Sequence, residues 1–261
     1  MVQYETVKVS VRDGVGVIQL DYPRRKNALS DRLQADLRAA LEKLATEKEA
    51  RVLIIQGAKS YFASGGDISQ MEKFSGPLDA KTYISNIHSL FNSIARYPKV
   101  IIAGVAGVAY GGGFELAMAC DLRIVADNVK FGLPEAKLGL MAGAGGTSRL
   151  PRLIGASKAK ELLFTTEPID AAEAYRLGLA NRVVPLDQLE DTAFEFAKKI
   201  ACLPQLAVRM AKLSTDNCLD MDSKTASEFE MQCIVNLFQT SDAHEGIRAF
   251  MEKRAAVFIH E

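Results

Sequence analysis

With 261 residues, 48% of them apolar, the chain can bury a full-sized core without staples, and one domain with a smaller appendage suits that length better than two equal domains. Its 32 Lys and Arg residues balance its 32 Asp and Glu residues, so net charge gives no reason to expect a nucleic acid or an acidic membrane surface as partner. Cys120, Cys202, Cys218 and Cys233 form no CxxC and have no histidine at metal-ligand spacing, which predicts reduced structural thiols, no metal site and a cytoplasmic location.

The chain opens on Met1-Val2-Gln3-Tyr4-Glu5, without an apolar stretch of the leader type, and no later segment approaches about 18 uncharged apolar residues. Neither a signal peptide nor a membrane span is expected. Val7-Lys8-Val9-Ser10-Val11 and Val15-Gly16-Val17-Ile18-Gln19-Leu20 flank the turn pair Asp13-Gly14 and predict a β-hairpin. The polar stretch 21–30 leads into a helix whose Leu33, Leu37, Ala40, Leu41 and Leu44 recur at helical spacing. Val52-Leu53-Ile54-Ile55 and Val100-Ile101-Ile102-Ala103 are short continuous apolar runs, the pattern of strands buried on both faces. Between them Ile84, Ile87, Leu90, Phe91 and Ile94 form a second helical stripe. Leu122-Arg123-Ile124-Val125 and the segment around Val183-Val184 complete an alternation of strands and helices that predicts an α/β core with right-handed connections.

Beyond Leu186 the strand signal stops. Asp187-Gln188-Leu189-Glu190 reads as a capping-box variant, and helical periodicity continues through Ala201, then over 207–213, 224–238 and 242–254. The expected division is a core over 1–190 and a helical region over 191–261, with the boundary inside 185–202.

Two loops follow buried strands, Tyr61-Phe62-Ala63-Ser64-Gly65-Gly66-Asp67-Ile68 and Ala109-Tyr110-Gly111-Gly112-Gly113-Phe114-Glu115. Ligands of α/β sheets collect at the carboxyl ends of strands. Small residues at Ser64, Gly65, Gly66 and 111–113 would leave main-chain N–H groups unobstructed, and two such donors aimed at one carbonyl oxygen make an oxyanion hole. The alternative is a pair of tight turns chosen for positive φ. Glu115 falls on what should be the first turn of a helix, and Glu135 stands behind Pro134, so the two carboxylates suggest a paired acid and base.

Other chemistries lack their signatures. No glycine cluster has the G-x-G-x-x-G spacing, Gly143-Ala144-Gly145-Gly146-Thr147 included, and no Gly-Lys-Ser/Thr occurs, which disfavours nucleotide cofactors. His88, His244 and His260 are scattered and no G-x-S-x-G is present, which disfavours a serine hydrolase and leaves His88 as a helix-face residue.

Phe62-Ala63-Ser64-Gly65-Gly66-Asp67-Ile68, Gly111-Gly112-Gly113-Phe114-Glu115-Leu116-Ala117-Met118-Ala119-Cys120-Asp121, Phe131-Gly132-Leu133-Pro134-Glu135 and Gly143-Ala144-Gly145-Gly146-Thr147-Ser148-Arg149-Leu150 resemble, in order and spacing, the crotonase (enoyl-CoA hydratase/isomerase) superfamily. Asn27-Ala28-Leu29 and Ala249-Phe250-Met251-Glu252-Lys253-Arg254 extend the resemblance over almost the whole chain. It implies a β/α spiral core, a C-terminal helical trimerisation region, and a homo-oligomer that is a trimer or a hexamer. It also implies an acyl-CoA thioester substrate with no further cofactor, its carbonyl oxygen held by the amides of Ser64 and Gly112.

Because hydratases of this kind keep both glutamates, the resemblance implies reversible syn hydration of a trans-2-enoyl-CoA to a 3-hydroxyacyl-CoA, with Glu115 activating water and Glu135 exchanging the proton with C2. Substrate contacts would fall on Lys26, Ala28, Ser64, Gly65, Gly66, Asp67, Ile68 and Gly112. Arg24, Arg25 and Lys26 are candidates for the CoA phosphates, Lys253 for a contact across a subunit boundary, and Met71, Phe74, Leu140 and Met141 for the acyl pocket.

Leu133 replaces a common glutamine, Ala142 a common proline, and Ser64 and Gly66 common alanines, which predicts a drier site near Glu135 and a looser 143–147 loop. The alternatives within the resemblance are a double-bond isomerase or a hydratase of a branched, cyclic or dienoyl-CoA. RNA binding would need a lysine-rich helix face, whereas the 31–48 helix alternates acidic and basic residues.

Overall fold

The computed structural model describes residues 4–260, so Met1, Val2 and Gln3, on which part of the leader reading rests, lie outside it. The first half of the chain runs β1 (Val7–Arg12), β2 (Val15–Leu20), α1 (Asp31–Thr46), β3 (Val52–Gln56), β4 (Tyr61–Ala63), α2 (Ile68–Met71), α3 (Pro77–Ala95), β5 (Val100–Val105), β6 (Val108–Tyr110) and α4 (Gly112–Ala119). It continues through β7 (Leu122–Ala126), β8 (Lys130–Gly132), α5 (Gly146–Ile154), α6 (Ala156–Thr165), β9 (Ile169–Asp170), α7 (Ala171–Arg176) and β10 (Arg182–Val184). The helices α8 (Leu189–Ala201), α9 (Gln205–Cys218), α10 (Ser223–Leu237) and α11 (Ser241–Glu252) follow.

The β1–β2 hairpin forms as expected, with Asp13 and Gly14 at φ +50 and +81, the left-handed conformations that match the twist of the paired strands. From β2 onward the six-stranded sheet, ordered β1-β2-β3-β5-β7-β10, is parallel. Its central strands read as unbroken apolar runs because both faces are covered. Val52 and Ile54 face α8 together with Ile102, Phe194 and Ala197, whereas Leu53 and Ile55 face the α1 and α3 side with Leu37, Leu44, Leu90 and Phe91.

A second sheet, ordered β4-β6-β8-β9, was not expected. Each of β3, β5 and β7 in the large sheet is followed directly by a short strand, β4, β6 or β8, in the small one. Every turn of the chain therefore lays one strand in each sheet, which makes the spiral the resemblance implies.

Helix α8 corrects the expected division. A cut between residues 190 and 191 passes through this helix, whose Leu189, Ala193, Phe194, Ala197 and Ala201 complete the core on one face of the sheet. The helices that stand beyond the sheet layers begin with α9. Lys212 of α9 is latched to Asp121 at the end of α4 by an ion pair of 2.9 Å, and Asp121 also accepts the Ile101 N–H at 2.7 Å. All four cysteines are free thiols. Among the described residues no helix is long and apolar enough to cross a membrane.

Candidate active site

The loops after β4 and β6 meet where the two sheets end, and each glycine of 111–113 makes room for a different neighbour. A Cβ at Gly113 would overlap the Ala63 carbonyl, so only glycine lets the first turn of α4 lie on β4. A Cβ at Gly112 would lie 2.6 Å from Leu29 Cδ1 and 3.7 Å from the Gly66 nitrogen. Gly111 adopts φ +51, and a Cβ there would lie 2.8 Å from Glu135 Oε1. One turn of chain thus gathers an amide, a second loop and a carboxyl group.

The free amides correct one expectation. The Ser64 N–H donates to the Lys26 carbonyl at 3.0 Å, so it is not open to a ligand. Gly66 and Gly112 each present an N–H for which no protein acceptor is found among the described residues. The second donor beside Gly112 is therefore Gly66, two residues further along the loop. Gly112 also begins α4, where the helix dipole favours negative charge. The opposite end of α4 is satisfied by the buried Arg123 guanidinium, which donates to the carbonyls of Ala117 at 3.3 Å and Cys120 at 2.9 Å.

Glu115 sits in the first turn of α4 and is only 2% exposed. Its Oε1 accepts the N–H groups of Ala144 at 2.8 Å and Gly146 at 2.7 Å, while its Oε2 takes no protein hydrogen bond among the described residues. Burial pushes this carboxyl above the usual range, opposed by the Gly146 and Ala144 amides and by His88 and Arg149. A Cβ at Gly146 would lie 2.5 Å from Ala142 Cβ and 3.0 Å from Glu115 Oε1, so the 143–147 loop needs its small residues to close on the carboxylate.

Glu135 projects from a single turn of 3₁₀ helix, Pro134–Leu138, that follows β8. Its Oε1 lies against Gly111, and its Oε2 is buried without a partner among the described residues. Burial, and then the neighbouring Glu115 charge, push it up to about 7. Two carboxyls of unlike surroundings share one site. Leu133, where glutamine is common, is fully packed beside the Gly146 loop and supplies no polar group to it.

Other expected contacts divide. Asp67 is not open to a ligand: its carboxylate caps α2 through the Gln70 N–H, accepts Ser69 Oγ at 2.7 Å and pairs with Arg25 at 2.8 Å. That pair also removes Arg25 from the phosphate candidates, while Arg24 and Lys26 form no ion pair among the described residues. Ala28 is buried, Ile68 exposed, and the Gly65 carbonyl accepts the Leu29 N–H. Met71 packs over Gly66 and Phe74 against Tyr83, but Leu140 and Met141 are exposed in the isolated chain. Lys253 closes α11, far along the chain from these groups, and His88 lies exposed on α3 as expected.

The positioning roles of two residues, Tyr83 and Asn27, are not legible in the sequence. Tyr83 accepts the Asp67 N–H at 3.0 Å and donates to the Leu29 carbonyl at 2.8 Å, its phenol pushed up to about 12 by burial. The buried Asn27 donates to the Phe62 carbonyl at 2.9 Å and accepts the Tyr22 N–H at 2.8 Å. In the sequence Asn27 stands out only as part of Asn27-Ala28-Leu29, with no role of its own, and Tyr83, one residue ahead of the Ile84 to Ile94 stripe, carries no signal that sets it apart.

A spiral whose turns each lay one strand in either of two sheets, with the Glu115 and Glu135 carboxyls at its rim, is the crotonase fold. The structure superposes on enoyl-CoA hydratase from Bacillus anthracis with a TM-score of 0.95 and 37% identity, covering 98% of this chain and 100% of that one. In sequence it is 40% identical over 252 residues to a probable mitochondrial enoyl-CoA hydratase of Dictyostelium discoideum, covering 97% of this chain and 90% of the relative. A crotonyl-CoA hydratase of Syntrophomonas wolfei is 38% identical over 257 residues, 98% of each protein. Residues 10–261 match the enoyl-CoA hydratase/isomerase family, and the chain belongs to it.

Proposed function

We propose that this chain catalyses the reversible syn hydration of a trans-2-enoyl-CoA thioester to a 3-hydroxyacyl-CoA. The observation that carries the reading is the unequal pair of carboxyls, Glu115 held by two amides of a facing loop through one oxygen and Glu135 with its Oε2 buried and unpartnered among the described residues, beside the unengaged N–H groups of Gly66 and Gly112. The thioester oxygen accepts from Gly66 and Gly112, which stabilise the enolate-like charge that develops there only in the transition state. Water donates to Glu115 Oε2; its oxygen bonds to C3 and its proton passes to Glu115. The proton held by Glu135 goes to C2. Delivery of both groups from the carboxyl side of the bound chain makes the addition syn.

These residues supply base, acid and electrophile, so the reading calls for no cofactor beyond the CoA of the substrate. Arg24 and Lys26, which form no ion pair among the described residues, precede the buried Asn27-Ala28-Leu29 segment and are assigned to the CoA phosphates. A panel of straight, branched, cyclic and dienoyl thioesters, followed by loss of the conjugated absorbance, tests the reading, with a 3-enoyl-CoA alongside. Hydration of at least one 2-enoyl thioester is expected. Turnover of the 3-enoyl substrate alone would replace hydration with double-bond isomerisation, which Glu135 could perform unaided.

Self-association belongs to the same proposal. Met231, Ile234 and Val235 of α10 and Ile247, Phe250 and Met251 of α11 are exposed in the isolated chain, large apolar side chains on two consecutive helices that association would cover. Light scattering on the eluting protein is expected to give a trimer or a hexamer. A monomer at micromolar concentration would refute this part.

A further inference from the structure

The loop 143–146 supplies both amides that hold Glu115, and the group that anchors this loop is Arg149. Its side chain turns back from α5: Nη1 donates to the Ala144 carbonyl at 3.1 Å and Nη2 to Asn92 Oδ1 on α3 at 2.8 Å. Its own N–H donates to the Gly145 carbonyl at 2.7 Å. Gly145, at φ +123, is the seat for this arrangement, because a Cβ there would overlap Arg149 Nη1. The Ala144 carbonyl belongs to the peptide between the two that donate to Glu115. Fixing that middle peptide fixes the aim of both amides.

The charges around Glu115 come from three neighbouring elements. Arg149 lies on α5, Glu135 on the turn after β8, and His88, its side chain exposed, on α3; Cys120, just past α4, neighbours Arg149. Burial lowers the Arg149 guanidinium, and Glu115 is the foremost group that opposes this. Reciprocally, Arg149 opposes the upward push that burial gives Glu115.

We propose that Arg149 is a positioning residue for the general base: through the Ala144 carbonyl it holds the peptides that grip Glu115 Oε1, and its cation, set by Asn92, sustains the carboxylate. The proposal rests on the assignment of Glu115 as the group that takes the proton from water. It also gives the 143–147 glycine loop a purpose beyond tight turning: the missing side chains admit a guanidinium on one side and a carboxylate on the other.

The test is kcat and kcat/KM for crotonyl-CoA against pH, on the full chain, for Arg149→Lys, Arg149→Met, Asn92→Ala and Glu115→Gln. Arg149→Met is expected to lower kcat by about 10²-fold, with KM changed less than about threefold, because the carboxylate is misaimed rather than the substrate unbound. Without the cation the ionised form of Glu115 is less favoured, so its pKa rises and the acid limb of kcat/KM moves up by about one pH unit. Arg149→Lys keeps the charge and loses the fork, so it is expected to lower kcat while leaving the acid limb in place. Asn92→Ala leaves the loop untouched and should show a smaller loss of kcat; it decides the matter with Arg149→Lys if Arg149→Met does not fold.

Wild-type kcat and an unmoved acid limb in folded Arg149→Met, or wild-type kcat in both Arg149→Lys and Asn92→Ala, would overturn the proposal while an inactive Glu115→Gln left the base assignment standing. Near-normal turnover by Glu115→Gln would instead remove the base assignment, and the proposal with it.

Discussion

Glu115→Gln is expected to lower hydration of crotonyl-CoA by about 10²–10⁴-fold in kcat, with substrate binding and the circular dichroism spectrum little changed. The substitution is unusually clean because of how the carboxylate is held. Its Oε1 already accepts two N–H groups, from Ala144 at 2.8 Å and Gly146 at 2.7 Å, and only an oxygen can occupy that position. The amide of a glutamine must therefore keep its oxygen toward the loop and turn its NH₂ group toward the water. A group that accepted a proton from water now donates to it, and the water is oriented backwards as well as left without a base.

Glu115→Ala is a poorer probe, since it strands two buried N–H groups at about 1–3 kcal/mol each and confounds chemistry with stability. A folded Glu115→Gln enzyme that hydrates at near the normal rate would exclude Glu115 as the base. Retention of 3-enoyl isomerisation by the same variant would assign that proton transfer to Glu135 alone.

The parts of this molecule that could be read from sequence are those that repeat a physical period. Val52 to Ile55 and Val100 to Ala103 announce strands covered on both faces because every residue in them is apolar, and Leu33, Leu37 and Leu44 announce a helix because they share one stripe. The second sheet gave no such signal: β4, β6 and β8 are three residues each, too short for an alternation to show. Helix α5 begins in a glycine cluster and contains Pro151, so its sequence resembles a loop until tertiary packing is known. The 190/191 division failed for a related reason, since α8 has the same periodicity whether its apolar face meets a sheet or another helix.

At the site, Glu115 and Glu135 were legible because acidic residues beside glycine and proline are chemically conspicuous. Which amide is free was not, since that depends on where another segment of the chain places its carbonyls. Lys26 takes the Ser64 N–H, and nothing in the composition of the 61–68 loop distinguishes Ser64 from Gly66 in this respect. The Arg25–Asp67 pair joins residues 42 positions apart and removed two expected ligand contacts together. Nothing in the sequence around either residue names its partner.

Glu135→Gln is expected to weaken catalysis and strengthen the fold, the second effect depending on pH. The wild-type carboxyl is pushed up to about 7 in the folded chain by burial and by Glu115, against about 4.3 when unfolded. Below the lower value it is protonated in both states and contributes nothing adverse. Between the two values the unfolded chain gives up a proton that the folded chain keeps, so stability falls as pH rises; above 7 both states are charged and the whole penalty stands. Glutamine, uncharged throughout, escapes it. The gain should be near zero at pH 4 and grow to roughly 1–3 kcal/mol at pH 8, less than the full shift implies because the group retains some solvent contact.

Thermal melts of both proteins across that range measure the effect, and an equal difference in Tm at pH 4 and pH 8 would show that charge burial is not its cause. The same carboxyl that lowers stability is the one able to hold a proton for C2 near neutrality. Hydration takes up and releases no net proton, and the proposed mechanism, with a carboxylate at Glu115 and a carboxylic acid at Glu135, requires one proton on the pair in both directions. Wild-type kcat/KM should therefore fall on either side of an optimum, its alkaline limb near pH 7 where the pair loses that proton, and the limbs should coincide for hydration and dehydration. Glu135→Gln is expected to reduce both directions together by at least about 10²-fold, because one proton shuttle serves both.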